Sequence, residues 1–137
     1  MDRSAIDLKM MRRCVELSTD AVRRRELPFS CVICRDGEVV AEAINRVVQD
    51  ADVTRHAEII AISEAQRILG RSDLSDCTIY SNVEPCPMCS FPIRETRILR
   101  PATGFDPVEG APLVLGKRHD DLPHVHHRAP STGLAAR

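Results

Sequence analysis

Asp76-Cys77-Thr78-Ile79-Tyr80-Ser81-Asn82-Val83-Glu84-Pro85-Cys86-Pro87-Met88-Cys89 begins as a run of strand formers, turns a polar corner and re-enters as a helix. Pro87 suits the first helical position, where its missing N–H costs little, so Cys86 becomes the N-cap and Cys89 the third helical residue. Both sulfurs then lie at the positive end of a helix dipole, among unpaired backbone N–H groups, a setting that favours thiolates. Working outward, Leu27-Pro28 precedes the apolar run Phe29 to Cys34, and Asp36-Gly37 supplies a tight turn before Val39 to Ile44, which predicts a β-hairpin. Thr54 is expected to cap a helix reaching about Leu69, with Gly70 at the stop position. Ile59, Ile60, Ile62, Ala65, Ile68 and Leu69 give that helix a broad apolar surface suited to a sheet. Strand, helix, strand, helix predicts an α/β fold with a parallel βαβ core.

At the N-terminal side, residues 4 to 24 read as an amphipathic helix, with Ser4 and Asp7 spaced as a capping box and Ile6, Met10, Cys14, Leu17 and Ala21 at helical spacing. Pro92 falls inside the third helix and is expected to kink it. After residue 98 the pattern weakens. Leu99-Arg100-Pro101-Ala102 interrupts an apolar strand with a charge and a ring that cannot donate to a ladder, and five of the nine prolines follow residue 100. Residues 1–116 are therefore expected to form one domain, and 117–137 an irregular tail.

The 137 residues carry 19 Lys+Arg against 20 Asp+Glu, a net charge of −1, which excludes a nucleic-acid binder that works mainly by neutralising phosphates. With 43% hydrophobic and 28% charged residues the chain can build a core. No apolar run approaches 18 residues and the first residues lack a signal-peptide stretch, so the expectation is a cytoplasmic protein with no membrane contact. In that reducing compartment the six cysteines are read as thiols, some of them metal ligands.

The chemistry concentrates in His56-Ala57-Glu58 and Cys86-Pro87-Met88-Cys89. One imidazole and two thiolates form a three-ligand zinc set, one zinc per chain, and the lack of a fourth His or Cys beside either cluster favours an open site whose last position goes to water. A hydroxide held by zinc, whose bound water has a pKa near 7, attacks an electron-poor sp² carbon. Glu58, two residues from a ligand and not needed in the metal set, is the candidate to carry a proton from the water to a departing nitrogen.

These residues resemble the zinc nucleobase and nucleoside deaminase superfamily, with its H-x-E and P-C-x-x-C signature. Leu27-Pro28-Phe29-Ser30, Asn45, Thr54-Arg55-His56-Ala57-Glu58 and Tyr80 to Cys89 are similar to the branch holding guanine deaminases and tRNA adenosine deaminases, over roughly residues 26 to 98. The resemblance implies a three-layer α/β/α sandwich around a mixed five-stranded sheet, as in cytidine deaminases. It implies zinc on His56, Cys86 and Cys89, proton shuttling by Glu58, base contacts from Asn45 and Phe29, and a homodimer. Ser30 stands where the family usually has Gly.

Each feature has a plainer reading. Cys31 and Cys34, three apart on a strand, face opposite sides and read as core, as do Cys14 and Cys77. His119, His124, His126 and His127 read as a solvated segment, and Arg23-Arg24-Arg25 as a solvated helix end. Asn45 could cap a turn, Phe29 could fill the core, and Asp106 could face a guanine edge or only solvent. The expected function is a zinc-dependent hydrolytic deaminase of a nucleobase, guanine or a related heterocycle. The alternatives are a tRNA adenosine or free nucleoside deaminase, and a non-catalytic zinc-binding interaction domain.

Overall fold

A computed structural model describes residues 2–100, 104–105 and 112–113. Helix α1 (Arg3–Arg23) leads into β1 (Ser30–Arg35) and β2 (Glu38–Ile44); α2 (Ala57–Leu69), β3 (Thr78–Ser81) and α3 (Pro87–Glu95) follow. The hairpin turn falls at Asp36-Gly37, both with positive φ, as the Asp-Gly pair predicts. Gly70 ends α2 in the left-handed conformation at φ 66°. The cap of α1 differs from expectation: Asp2, not Ser4, accepts from the Ala5 N–H at 3.0 Å. Asp7 instead accepts from the Tyr80 hydroxyl at 2.6 Å, tying α1 to β3. Helix α3 continues through Pro92 to Glu95, and the Pro92 carbonyl accepts from the Thr96 N–H at 3.0 Å.

The strand order is β2-β1-β3, with β1 antiparallel to both neighbours. β2 and β3 therefore run parallel, as the βαβ reading requires, but β1 is inserted between them and they share no rung. Direct parallel pairing comes one crossover later, through α3: the Leu99 N–H donates to the Cys77 carbonyl at 2.9 Å and its carbonyl accepts from Ile79 N–H at 2.8 Å. Among the described residues the expected five-stranded sheet is thus three strands and this bridge. Among the described residues, β4 (Gly104–Phe105) and β5 (Pro112–Leu113) pair with each other and with no other strand. Asp106, the four late histidines and the boundary at residue 116 lie outside the described residues.

Alternation along β1 divides the core. Val32 and Cys34 pack with Met10, Met11, Cys14 and Leu17 of α1, whereas Cys31 and Ile33 pack with Ala57, Ala61, Ile62 and Ala65 of α2 and with Cys89 and Ile93 of α3. Helices cover both faces, which gives the three α/β/α layers. Burial on both faces explains why β1 reads as a continuous apolar run. Cys14, Cys31, Cys34 and Cys77 are buried core residues, as expected. Among the described residues, no helix is long and apolar enough to cross a membrane.

Gly70→Ala adds a methyl group that meets nothing within 4 Å, so its cost is that of left-handed backbone alone. The expected loss is about 1 kcal/mol, read as a lower urea midpoint with an unchanged slope.

Candidate metal centre and base pocket

His56 and Cys86 are the N-caps of α2 and α3, and neither side chain caps its own helix. Helix α2 starts two residues later than the Thr54 cap predicted, because the Thr54 hydroxyl and N–H both bond to Asp52 Oδ1, at 2.7 and 2.8 Å. That delay leaves His56 at the helix tip with its ring free to lean outward. Its Nδ1 lies 3.5 Å from Cys86 Sγ and 3.5 Å from Cys89 Sγ. A tetrahedral zinc with bonds of about 2.0–2.1 Å to nitrogen and 2.3 Å to sulfur separates N from S by about 3.6 Å. The three donor atoms lie within 4.8 Å of one another and fit such an ion with Nδ1 as the histidine donor.

Cys89 is fully buried, and burial pushes its thiol well above the ordinary range, with the Glu58 charge adding to the effect. Without a cation the S–H donates to Glu58 Oε2 at 3.4 Å. A divalent ion reverses the preference, because it favours the thiolate directly. Glu58, in the first turn of α2, is 4% exposed, and its Oε1 accepts from the Ser81 hydroxyl at 2.8 Å. Sequence reasoning passed over Ser81. The available signal was its place at the end of β3, where the sheet delivers a side chain to the helix tips.

Phe29, Asn45, His56, Glu58, Val83, Glu84 and Cys86 line a pocket of about 240 Å³, with Cys89 Sγ 3.5 Å from Nδ1 of His56. The structure therefore brings together all six residues that the sequence singled out. A larger groove of about 460 Å³ lies between α1 and β2 and holds none of them. Asn45 serves two ends. Its Oδ1 accepts from the Val47 N–H at 3.0 Å, so it caps a turn as the plainer reading held, and it is buried in the pocket wall. A peptide N–H can only donate, so that contact fixes which end of the carboxamide is oxygen and leaves Nδ2 for the pocket. The loop behind Asn45 is held by Glu26, a buried residue without a role in the sequence reading. Its carboxylate accepts from the N–H groups of Val48 and Gln49 at 3.3 and 2.6 Å. Arg46 and Arg55 both pair with Asp50.

Guanine deaminase from Bacillus subtilis is 48% identical over 62 residues, which is 45% of this chain and 40% of that protein. Its solved structure superposes with a TM-score of 0.66 at 37% identity, covering 73% of this chain and 62% of that one. The tRNA-specific adenosine deaminase of Agrobacterium fabrum is 38% identical over 117 residues, 84% of this chain and 76% of that protein. A solved structure from studies of A-to-I editing by tRNA:A34 deaminases gives a TM-score of 0.67 at 31% identity, covering 88% and 92% of the two chains. The chain thus spans under half of one such relative and about three quarters of another.

Because Cys89 must shed its proton to bind a metal, zinc affinity should fall as pH falls. Below the metal-free pKa of the thiol the decline is roughly tenfold per pH unit for each proton displaced, as competition with a chromophoric chelator would read. Cys86→Ser should lose most of its zinc by metal analysis. The model of the cytidine and deoxycytidylate deaminase zinc-binding region matches residues 4–104, the whole centre included, and the chain belongs to that zinc-binding family.

Proposed function

We propose that this chain is a zinc-dependent hydrolytic deaminase acting on an amino-substituted nucleobase, guanine foremost, in the cytoplasm and as a homodimer. The observation that carries the reading is the buried Glu58 carboxylate, beside the His56, Cys86 and Cys89 donor set and open to the pocket walled by Phe29 and Asn45. Bound zinc supplies a Lewis acid that brings the pKa of water to about 7. Glu58, oriented through Oε1 by Ser81, takes a proton from the attacking water and passes it to the amino nitrogen, which leaves as ammonia. Asn45 donates from Nδ2 to an acceptor on the base, and Phe29 packs on the ring face. At about 240 Å³ the pocket is smaller than the roughly 300–1,000 Å³ usual for larger ligands, in keeping with a single heterocycle. Asp50 pairs with both Arg46 and Arg55 and offsets one of the two positive charges next to Asn45 and His56, which weakens the pull of that rim on a polyanion. Exposed Met88 and Phe91 on α3, with Leu99 nearby in sequence, offer an apolar face that a second copy would cover.

A second reading, deamination of an adenosine in tRNA, draws on the longer overlap with the tRNA deaminases. A base flipped out of an RNA loop would enter the same pocket. Ammonia release across guanine, adenine, cytosine, adenosine, cytidine and a tRNA anticodon stem-loop separates the two: guanine turnover is expected, and turnover of the stem-loop alone would replace the first reading with the second. Glu58→Gln should keep its zinc and lose at least about a hundredfold in kcat. Asn45→Asp keeps an acceptor for the Val47 N–H but turns an oxygen toward the base, so KM should rise roughly tenfold.

A further inference from the structure

We propose that Asn82 is a positioning residue that holds Phe29 against the substrate ring, an inference that rests on the nucleobase-deaminase reading above. Phe29 is one wall of the pocket but lies one residue outside β1, after Pro28, and its N–H turns back to the Leu27 carbonyl at 2.7 Å. Its own carbonyl accepts from the Asn45 N–H at 3.0 Å, which ties it to the β2 side. On the β3 side the backbone ladder has already ended, at the pair Cys31 and Ser81. Asn82 supplies what the ladder lacks. Its Nδ2 donates to the Pro28 carbonyl at 2.7 Å and its Oδ1 accepts from the Ser30 N–H at 2.9 Å. One planar carboxamide thus grips the chain on both sides of Phe29, as an extra rung would.

Ser30 completes the clamp. Its hydroxyl donates to the Cys14 carbonyl at 2.6 Å, so the residue that Asn82 holds is itself seated on α1. Asn82 also immediately precedes Val83 and Glu84, which line the same pocket. A single side chain therefore sets the spacing between the aromatic wall and the wall next to it. Rotation of the Pro28–Ser30 backbone would swing the Phe29 ring, and Asn82 opposes that rotation at two points.

The test is a double-mutant cycle on the zinc-loaded full chain, with guanine as substrate. Asn82→Ala should raise KM roughly tenfold with kcat within about twofold and zinc content unchanged, the scale expected when two hydrogen bonds that orient a contact are lost. In a Phe29→Ala background the same change should move KM less than about twofold, because its effect passes through the ring. Asn82→Asp, which keeps an acceptor for Ser30 and loses the donor to Pro28, should fall between. Independently of turnover, exchange of the Ser30 amide hydrogen should quicken in Asn82→Ala. Equal losses in both backgrounds, a lowered Tm with unchanged KM, or unaltered Ser30 exchange would overturn the clamp. A wild-type chain that turns over no base would overturn the deaminase reading itself, while the exchange measurement would still report on the contact.

Discussion

The centre exists because β2 and β3 run the same way, with β1 antiparallel between them, so that the helices following each strand begin at one edge of the sheet. Two strand spacings of about 4.8 Å separate β2 from β3, and the side chains of His56 and Cys86 bridge that distance from the helix tips. At that edge each helix offers its N-cap, and in both the cap has extended backbone and a side chain released from capping. A histidine at one tip and a cysteine at the other then come within 3.5 Å. If α2 began at Thr54, the His56 side chain would emerge from inside the first turn; the bonds from Thr54 to Asp52 prevent this.

Behind the half-buried tips, Cys89 and Glu58 are shielded from water, and that dryness has two effects. It makes Cys89 a poor acid until a cation arrives, so zinc must displace a proton as it binds, and because the donor set is assembled only in the folded chain, metal binding contributes to folding stability. It also confines Glu58 to two partners, Ser81 and Cys89, with the pocket as its outlet. A carboxylate held at each oxygen keeps one orientation.

Much of this was legible in the sequence, and the reasons differ from residue to residue. His56, Glu58, Cys86 and Cys89 could be read because their spacing and the prolines around Cys86 speak of helix starts, a local matter. Alternation along β1 put Cys31 and Cys34 on opposite faces, and the structure shows a separate core on each. What depends on distant partners could not. Asp7 looks like half of a capping box, yet its partner is Tyr80, 73 residues away. Strand period says nothing about which strand lies beside which, so the insertion of β1 between β2 and β3 was missed, and with it the reach of Ser81 to Glu58. Glu26 reads as the end of a charged run, and only the folded loop shows it gripping Val48 and Gln49.

The carboxamide of Asn45 cannot turn over to suit a visitor, since its oxygen is already committed to the peptide at Val47. A freely rotating amide would greet lone pairs and hydrogens alike. This one has a set polarity imposed by the main chain, so the sense of hydrogen bonding at that corner of the cavity is inherited from the fold before any guest arrives, and reversing it takes a change of residue rather than a turn of the side chain.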